Sequence, residues 1–91
     1  MPYTVRTTRQ FDKSFEKMKK RGFPIEAFQT VIKELLSEGK LSAQFRPHKL
    51  SGKYKGYWEC HIKPDWLLVW DQNDMELTLL LVDTGTHSDL F

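Results

Sequence analysis

An uninterrupted apolar run from Trp66 to Trp70 is the feature that most constrains how this chain can fold. A strand that is apolar at every position is buried on both faces, so it belongs in the middle of a sheet. Residues 56–63 alternate between apolar and polar side chains, and a further strand is predicted over residues 76–84. A Pro64-Asp65 turn joins the first two strands. The second half of the chain therefore predicts an antiparallel meander.

The first half of the chain shows a short strand and two amphipathic helices. Tyr3–Arg6 predicts the strand, and Thr7 with Gln10 fits a capping box at the start of the first helix. Gly22 is the predicted end of that helix, and the second is predicted between Pro24 and Gly39. Each helix has one apolar face and must pack on the sheet to be stable.

These elements define an α+β fold of order β-α-α-β-β-β, an antiparallel sheet packed by two N-terminal helices. Residues 39–55 read as a loop, and no linker divides the chain, so we expect a single domain over residues 1–91. We also expect Leu90-Phe91 to pack the C-terminal tail back onto the domain.

Charge is distributed unevenly between the two halves. Residues 1–55 hold 13 of the 14 basic and five of the 12 acidic side chains, a net of +8, whereas residues 56–91 have a net of −6. The basic half suits a phosphate backbone or an acidic protein partner. A single cysteine, Cys60, and the lack of a secretion signal or a membrane-length apolar run favour a cytoplasmic protein with no membrane contact.

Acid–base chemistry is indicated by three histidines, His48, His61 and His87, accompanied by Glu59 and Asp65. Alternation places Glu59 and His61 on one strand face, which we expect to be open, while His48 and His87 approach from the ends of other elements. Two imidazoles suffice to cleave RNA: one takes the ribose 2′-OH proton and the other protonates the departing 5′-oxygen. That reaction needs no cofactor, and the spacing of the histidines does not favour a zinc site.

Four short segments together resemble the YafQ branch of the RelE/ParE toxin superfamily, a match that is specific in combination. They are His48-x-Leu-x-Gly52, Gly56-Tyr57, His61-x-x-Pro64-Asp65-Trp66 and Thr84-Gly85-Thr86-His87-x-x-Leu90-Phe91. The resemblance implies the RelE/ParE-like microbial RNase fold and a bacterial type II toxin that cuts messenger RNA in the A site of the 70S ribosome. It also implies an acidic antitoxin that wraps the toxin in a hetero-oligomer, and a complex that binds operator DNA.

The resemblance places functional roles on six side chains: His48, His61, Asp65, Trp66, His87 and Phe91. It implies His48 as general base, His87 or His61 as general acid, and Asp65 as the group that orients an imidazole. Phe91 and Trp66 are expected to contact the substrate through their rings.

Two positions depart from the pattern of such toxins. Glu59 stands where relatives often carry aspartate, and Asp83 stands where an arginine often meets the scissile phosphate. Stabilisation of the transition-state charge then depends on other cations. The basic candidates for contact with the substrate are Arg46, Lys49, Lys53 and Lys63.

Two other functions stay open. A ParE-like toxin of the same fold would bind DNA gyrase without enzymatic activity and would not need the histidines. A catalytically impaired relative that keeps antitoxin binding is the other possibility, which Asp83 makes conceivable.

Overall fold

A computed structural model describes residues 2–91 and has five strands in one sheet, with two long helices on one face. This architecture confirms the predicted α+β fold. Short 3₁₀ turns occupy Ala43–Phe45 and Gly52–Tyr54. The strands and helices, in chain order, are β1 (Thr4–Thr7), α1 (Arg9–Lys20), α2 (Ile25–Glu38), β2 (His48–Lys49), β3 (Trp58–Lys63), β4 (Trp66–Asn73), β5 (Thr78–Gly85) and α3 (His87–Leu90).

The sheet has the order β1-β5-β4-β3-β2 and is mostly antiparallel. Two features differ from the sequence prediction. β1 runs parallel to β5, and residues 48–49, predicted to lie in a loop, pair with β3 as an edge strand. Both strands have exposed side chains throughout, so neither carries an apolar pattern that reveals its partner or direction.

β4 lies in the middle of the sheet and is buried on both faces over residues 66–70, as predicted. One face, with Leu68 and Trp70, belongs to the main core beneath α1 and α2. The opposite face, with Leu67 and Val69, forms a smaller apolar cluster with Leu90 of α3. The expectation that the C-terminal tail packs back onto the domain is confirmed at Leu90, which is buried.

The helix caps differ from the prediction by one residue each. α1 is capped by Thr8, whose Oγ1 accepts from the Phe11 N–H at 3.0 Å, because the edge strand continues through Thr7. Gln10 donates to Ser14 and does not complete a capping box. α2 starts at Ile25, so Pro24 is the N-cap and not a residue of the first turn. None of the helices in residues 2–91 is long and apolar enough to span a membrane.

Gly39 ends α2 in the left-handed conformation, with φ at +68° and its N–H donating to the Leu35 carbonyl at 2.9 Å. A β-carbon at this position would lie 2.5–2.6 Å from three side-chain atoms of Tyr3. The hydroxyl of Tyr3 is in turn fixed by Asp74 at 2.7 Å. Glycine is therefore required both for the backbone angle and for the approach of Tyr3.

Gly39→Ala is expected to destabilise the fold more than Gly22→Ala. Both glycines have positive φ, so alanine at either costs about 1–2 kcal/mol in backbone conformation. Only Gly39 meets a neighbour, and overpacking adds roughly 1–3 kcal/mol. Urea unfolding of the two variants measures this difference, and equal midpoints would contradict the role assigned to Tyr3.

Candidate active site

The structure brings the three histidines together in a row on one side of the sheet. The ring centroids of His48 and His61 are 6.5 Å apart, and those of His61 and His87 are 5.7 Å apart. β2 supplies the first ring, β3 the second and the start of α3 the third. The row can therefore contact one phosphate and the oxygens on either side of it.

His48 is held through both nitrogens of its ring. Nδ1 lies 2.9 Å from the Arg46 carbonyl oxygen, and Nε2 lies 3.2 Å from Oε1 of Glu59. Both neighbours are hydrogen-bond acceptors, and only a protonated imidazole can donate from both nitrogens. The two contacts therefore fix the orientation of the His48 ring.

Glu59 is buried, at 4% exposure, which corrects the expectation that it faces an open concavity. Pairing of β2 with β3 places His48 directly opposite Glu59 and covers its carboxylate. Oε2 of Glu59 has no hydrogen-bond partner among residues 2–91. A buried carboxylate is stable only when a positive charge or donors compensate it, so the contact with His48 supports this side chain as much as it orients the ring.

His87 and Asp65 form the second polar contact of the site. Oδ1 of Asp65 lies 3.2 Å from Nδ1 of His87 and 3.3 Å from its backbone nitrogen. The His87 side chain, and then its backbone N–H, lower the pKa of Asp65 below 3.8, so the carboxyl stays ionised. An ionised carboxylate at Nδ1 fixes the ring and complements its charge when it is protonated.

His61 lies between the other two rings and is half-buried. Its Nδ1 is 3.3 Å from the Pro64 carbonyl oxygen, a contact that places the proton on Nδ1. No hydrogen bond within residues 2–91 uses Nε2 of His61 or of His87. Two neighbouring rings therefore present a free nitrogen to a ligand.

Trp66 does not line the site, and the prediction that it contacts substrate is wrong. The side chain is fully buried, its Nε1 donates to Thr84 Oγ1 at 2.8 Å, and its ring packs on Phe23 at 5.5 Å. A β-bulge between His61 and Lys63 shifts the register of the hairpin, which turns Trp66 toward the helices. Sequence alternation across a regular turn could not anticipate this shift.

The C-terminal residue, Phe91, lies against the ring of Tyr54. Phe91 is 64% exposed and meets the ring of Tyr54 edge-on, with centroids 5.8 Å apart. Phe91 is thus accessible to solvent, and its contact with the substrate stays a prediction. Tyr54 was missed, because it lies in a 3₁₀ turn within a predicted loop and carries no sequence signal of its own.

The structure brings some of the four basic candidates to the site. Arg46 and Lys63 flank His61 and line a surface cavity of about 260 Å³. Lys49 lies with its Nζ 5.6 Å from the ring centroid of Trp58, and Lys53 has its Nζ 5.2 Å from that of Tyr54. Arg46 and Lys63 lie beside the histidine row, and Lys53 is positioned by the ring of Tyr54. Lys49 pairs with Trp58 on the face of the sheet opposite His48, because neighbouring strand residues alternate between faces, so the structure does not bring it to the site.

Asp83, which replaces the arginine expected from the family pattern, points toward α1. It is 8% exposed, and its Oδ1 accepts from the Ser14 hydroxyl at 2.7 Å and from the Thr84 N–H at 2.8 Å. This side chain stabilises the packing of β5 on α1 and supplies no positive charge. Within residues 2–91 no group of three or more His, Cys, Asp or Glu side chains is arranged to hold a metal ion.

Fold and site together define a bacterial toxin of a type II toxin–antitoxin system, and the family profile with that description matches residues 3–91. The chain belongs to the YafQ family of these toxins.

Relatives in Escherichia coli carry the name mRNA interferase toxin YafQ. The strain K12 protein is 41% identical over 51 residues, 56% of this chain and 53% of its own length, so that match spans about half of the relative. The strain B protein is 31% identical over 83 residues, 90% of this chain and 88% of its own.

Two solved structures extend the similarity across the chain. The E. coli DinJ-YafQ toxin–antitoxin complex contains a chain that is 28% identical, with a TM-score of 0.88 and coverage of 100% of this chain and 99% of that one. A metal-bound toxin from Helicobacter pylori is 39% identical, with a TM-score of 0.87 and coverage of 98% and 99%.

The titration of Asp65 tests the contact with His87. In His87→Ala the pKa of Asp65 is expected to rise, because the His87 side chain is the largest influence that lowers it. The stability that this contact contributes is fully present at pH values above the pKa of Asp65 in the unfolded chain. It is lost as the pH falls through the lower pKa of Asp65 in the folded protein. Carboxyl-carbon NMR measures the shift. Asp74, whose pKa is lowered by Tyr3 and Gln72, is the control that stays unchanged. An unmoved Asp65 would contradict the contact.

Proposed function

We propose that this toxin is an endoribonuclease that cleaves messenger RNA in the ribosomal A site by histidine acid–base catalysis. The observation that carries the proposal is the pair His61 and His87, whose rings are 5.7 Å apart, each with Nδ1 anchored on an oxygen and Nε2 free. The printed names of the E. coli relatives, mRNA interferase toxins, support the same activity.

RNA supplies its own nucleophile in this reaction. Nε2 of His61 accepts the proton of the ribose 2′-OH as that oxygen forms a bond to the adjacent phosphorus. The bond from phosphorus to the 5′-oxygen then breaks, and protonated His87 gives its proton to the departing oxygen. The products are a 2′,3′-cyclic phosphate and a 5′-hydroxyl, with no covalent enzyme intermediate and no metal or cofactor.

This assignment moves the base from His48, expected from the sequence, to His61. Contact with ionised Asp65 favours the protonated ring of an acid at His87. His61 faces only a carbonyl oxygen, which suits a neutral base. His48, with acceptors at both nitrogens, then contributes a positive charge when protonated.

Transition-state charge is stabilised by several cations because position 83 lacks an arginine. His48, when protonated, would be one of them, with its ring centroid 6.5 Å from that of His61, and Arg46 and Lys63 line the adjacent cavity. Each is placed to meet a non-bridging phosphate oxygen. Lys53 contacts the flanking backbone, and Phe91 packs on an unpaired base beside Tyr54.

The antitoxin partner is proposed to be acidic and to cover the basic half of the chain. Exposed Lys13, Lys17 and Lys20 on α1 supply that surface, and the DinJ-YafQ complex is a precedent for such a pair. We further propose that the toxin acts in the cytoplasm and that its complex with antitoxin binds operator DNA.

Primer extension on a reporter message in a translating extract tests the activity. Wild type is expected to give discrete cuts at in-frame codons. Because the proposed reaction uses no metal, the cuts are also expected when a chelator removes transition metals and leaves the Mg²⁺ of the ribosome in place. His87→Gln is expected to lose roughly 10²–10⁴-fold in rate, the usual contribution of a general acid. Ser88→Ala, an exposed neighbour on α3, is the matched control and is expected to cut like wild type.

The other outcomes separate the competing functions. Cuts on the same message without ribosomes would contradict the A-site requirement. Absence of cuts from folded wild type would overturn the enzyme assignment. Gyrase poisoning that survives His87→Gln would then identify a ParE-like toxin, and loss of all toxicity would identify an impaired relative.

A further inference from the structure

The segment that carries His87 is a single helical turn, and it is tied to the end of α1. Nη1 of Arg21, the C-cap residue of α1, donates to Oδ2 of Asp89 at 2.8 Å. The two residues are 68 positions apart in the chain, so this ion pair is a tertiary link. Among residues 2–91 it is the one salt bridge that joins α1 to α3.

The Asp89 carboxylate that accepts from Arg21 also builds the start of α3. Its Oδ2 accepts from the Thr86 N–H at 2.8 Å, and Thr86 Oγ1 accepts from the Asp89 N–H at 3.2 Å, which completes a capping box. His87 follows Thr86 directly. Displacement of Asp89 would therefore move the backbone that orients the His87 ring.

The chain also leaves room for this carboxylate. A β-carbon at Gly85 would lie 2.8 Å from Cβ of Asp89, so glycine permits the close approach of the two segments. Arg21 is fixed from its own side as well, because its guanidinium lies 5.4 Å from the ring centroid of Phe23 and 3.6 Å from Met18 Sδ. Both partners of the ion pair are thus held by further contacts on their own side.

From this geometry we propose that Arg21 is a positioning residue that holds His87 against Asp65 through Asp89. The inference rests on the proposed nuclease function, because it assigns Arg21 to the same acid–base pair. Arg21 does not reach the substrate; it fixes the turn on which the general acid is carried.

Two physical effects couple Arg21 to Asp65. Loss of the ion pair loosens α3, which weakens both hydrogen bonds from His87 to the Asp65 carboxylate. It also leaves the charge of Asp89 without its nearest cation, and that charge raises the pKa of Asp65. Both effects move the pKa of Asp65 upward. The exposed ion pair itself contributes little to global stability, so the fold is expected to remain intact.

Four variants test the proposal by NMR titration of Asp65 and by cleavage kinetics. Arg21→Met keeps the apolar stem over Phe23 and removes the charge. Asp89→Asn keeps an acceptor for the cap and removes the ion pair. Arg21→Lys restores the charge. Lys19→Met is the matched control, because it breaks a 3.1 Å ion pair to Glu16 within α1 without touching α3.

Arg21→Met is expected to raise the pKa of Asp65. In Asp89→Asn the loosened α3 and the lost Asp89 charge act on that pKa in opposite directions, so this variant and Arg21→Met are compared by cleavage rate. Both variants are expected to lower the cleavage rate at saturating ribosomes roughly fivefold, the factor that corresponds to about 1 kcal/mol, without changing KM. Arg21→Lys is expected to recover most of the rate, and Lys19→Met to match wild type. If the rate losses of Arg21→Met and Asp89→Asn were additive in the double variant, the two residues would act independently, which would contradict their action through one ion pair.

Failure of this inference is distinguishable from failure of the proposed function. If wild type cuts and Arg21→Met matches it in rate and in the titration of Asp65, the positioning role is overturned while the nuclease stands. If wild type does not cut, the nuclease falls, and the titration still decides whether Arg21 holds His87 against Asp65. A thermal melt of each variant establishes that it is folded.

Discussion

Burial of β4 on both faces is the constraint on which the rest of the structure depends. One face is covered by α1 and α2, which accounts for the main core. The other face carries Leu67 and Val69, which are buried in a cluster with Leu90. Leu90 also ends the helical turn that begins with His87. Burial of the central strand against Leu90 therefore holds this catalytic candidate close to the end of β5. The packing of the core and the position of His87 therefore depend on the same contact, that of Leu90 with β4.

One kind of contact recurs at all three histidines of the site. At each of the three histidines Nδ1 lies near an oxygen, which is a carbonyl at His48 and His61 and the Asp65 carboxylate at His87. Anchoring one nitrogen fixes the tautomer and the ring orientation, so the chemistry of the other nitrogen depends on what faces it. The Glu59 carboxylate faces Nε2 of His48 alone. The three histidines thereby have different hydrogen-bond surroundings.

Much of this arrangement could be read from the sequence, and the failures have physical causes. The apolar run 66–70 and the alternation before it correctly predicted the antiparallel meander and its core-facing side. They also predicted that histidines lie at the ends of elements. Trp66 was misplaced because a β-bulge changes the face of a strand without a signature in composition. Glu59 was expected to be open because its cover, the two-residue strand β2, has no apolar pattern. The Arg21–Asp89 link is a contact across 68 residues, which no local pattern reveals.

The chemical identity of the ends produced by cleavage tests the central claim most directly. Attack by the ribose 2′-OH, driven by the imidazole pair, predicts a 2′,3′-cyclic phosphate and a 5′-hydroxyl on the two fragments of a programmed ribosomal message. A message with a single 2′-deoxy nucleotide at the cut position is predicted to stay intact. Fragments with a 3′-hydroxyl and a 5′-phosphate, or cleavage of the deoxy-substituted message, would contradict catalysis by this histidine pair and require a water nucleophile.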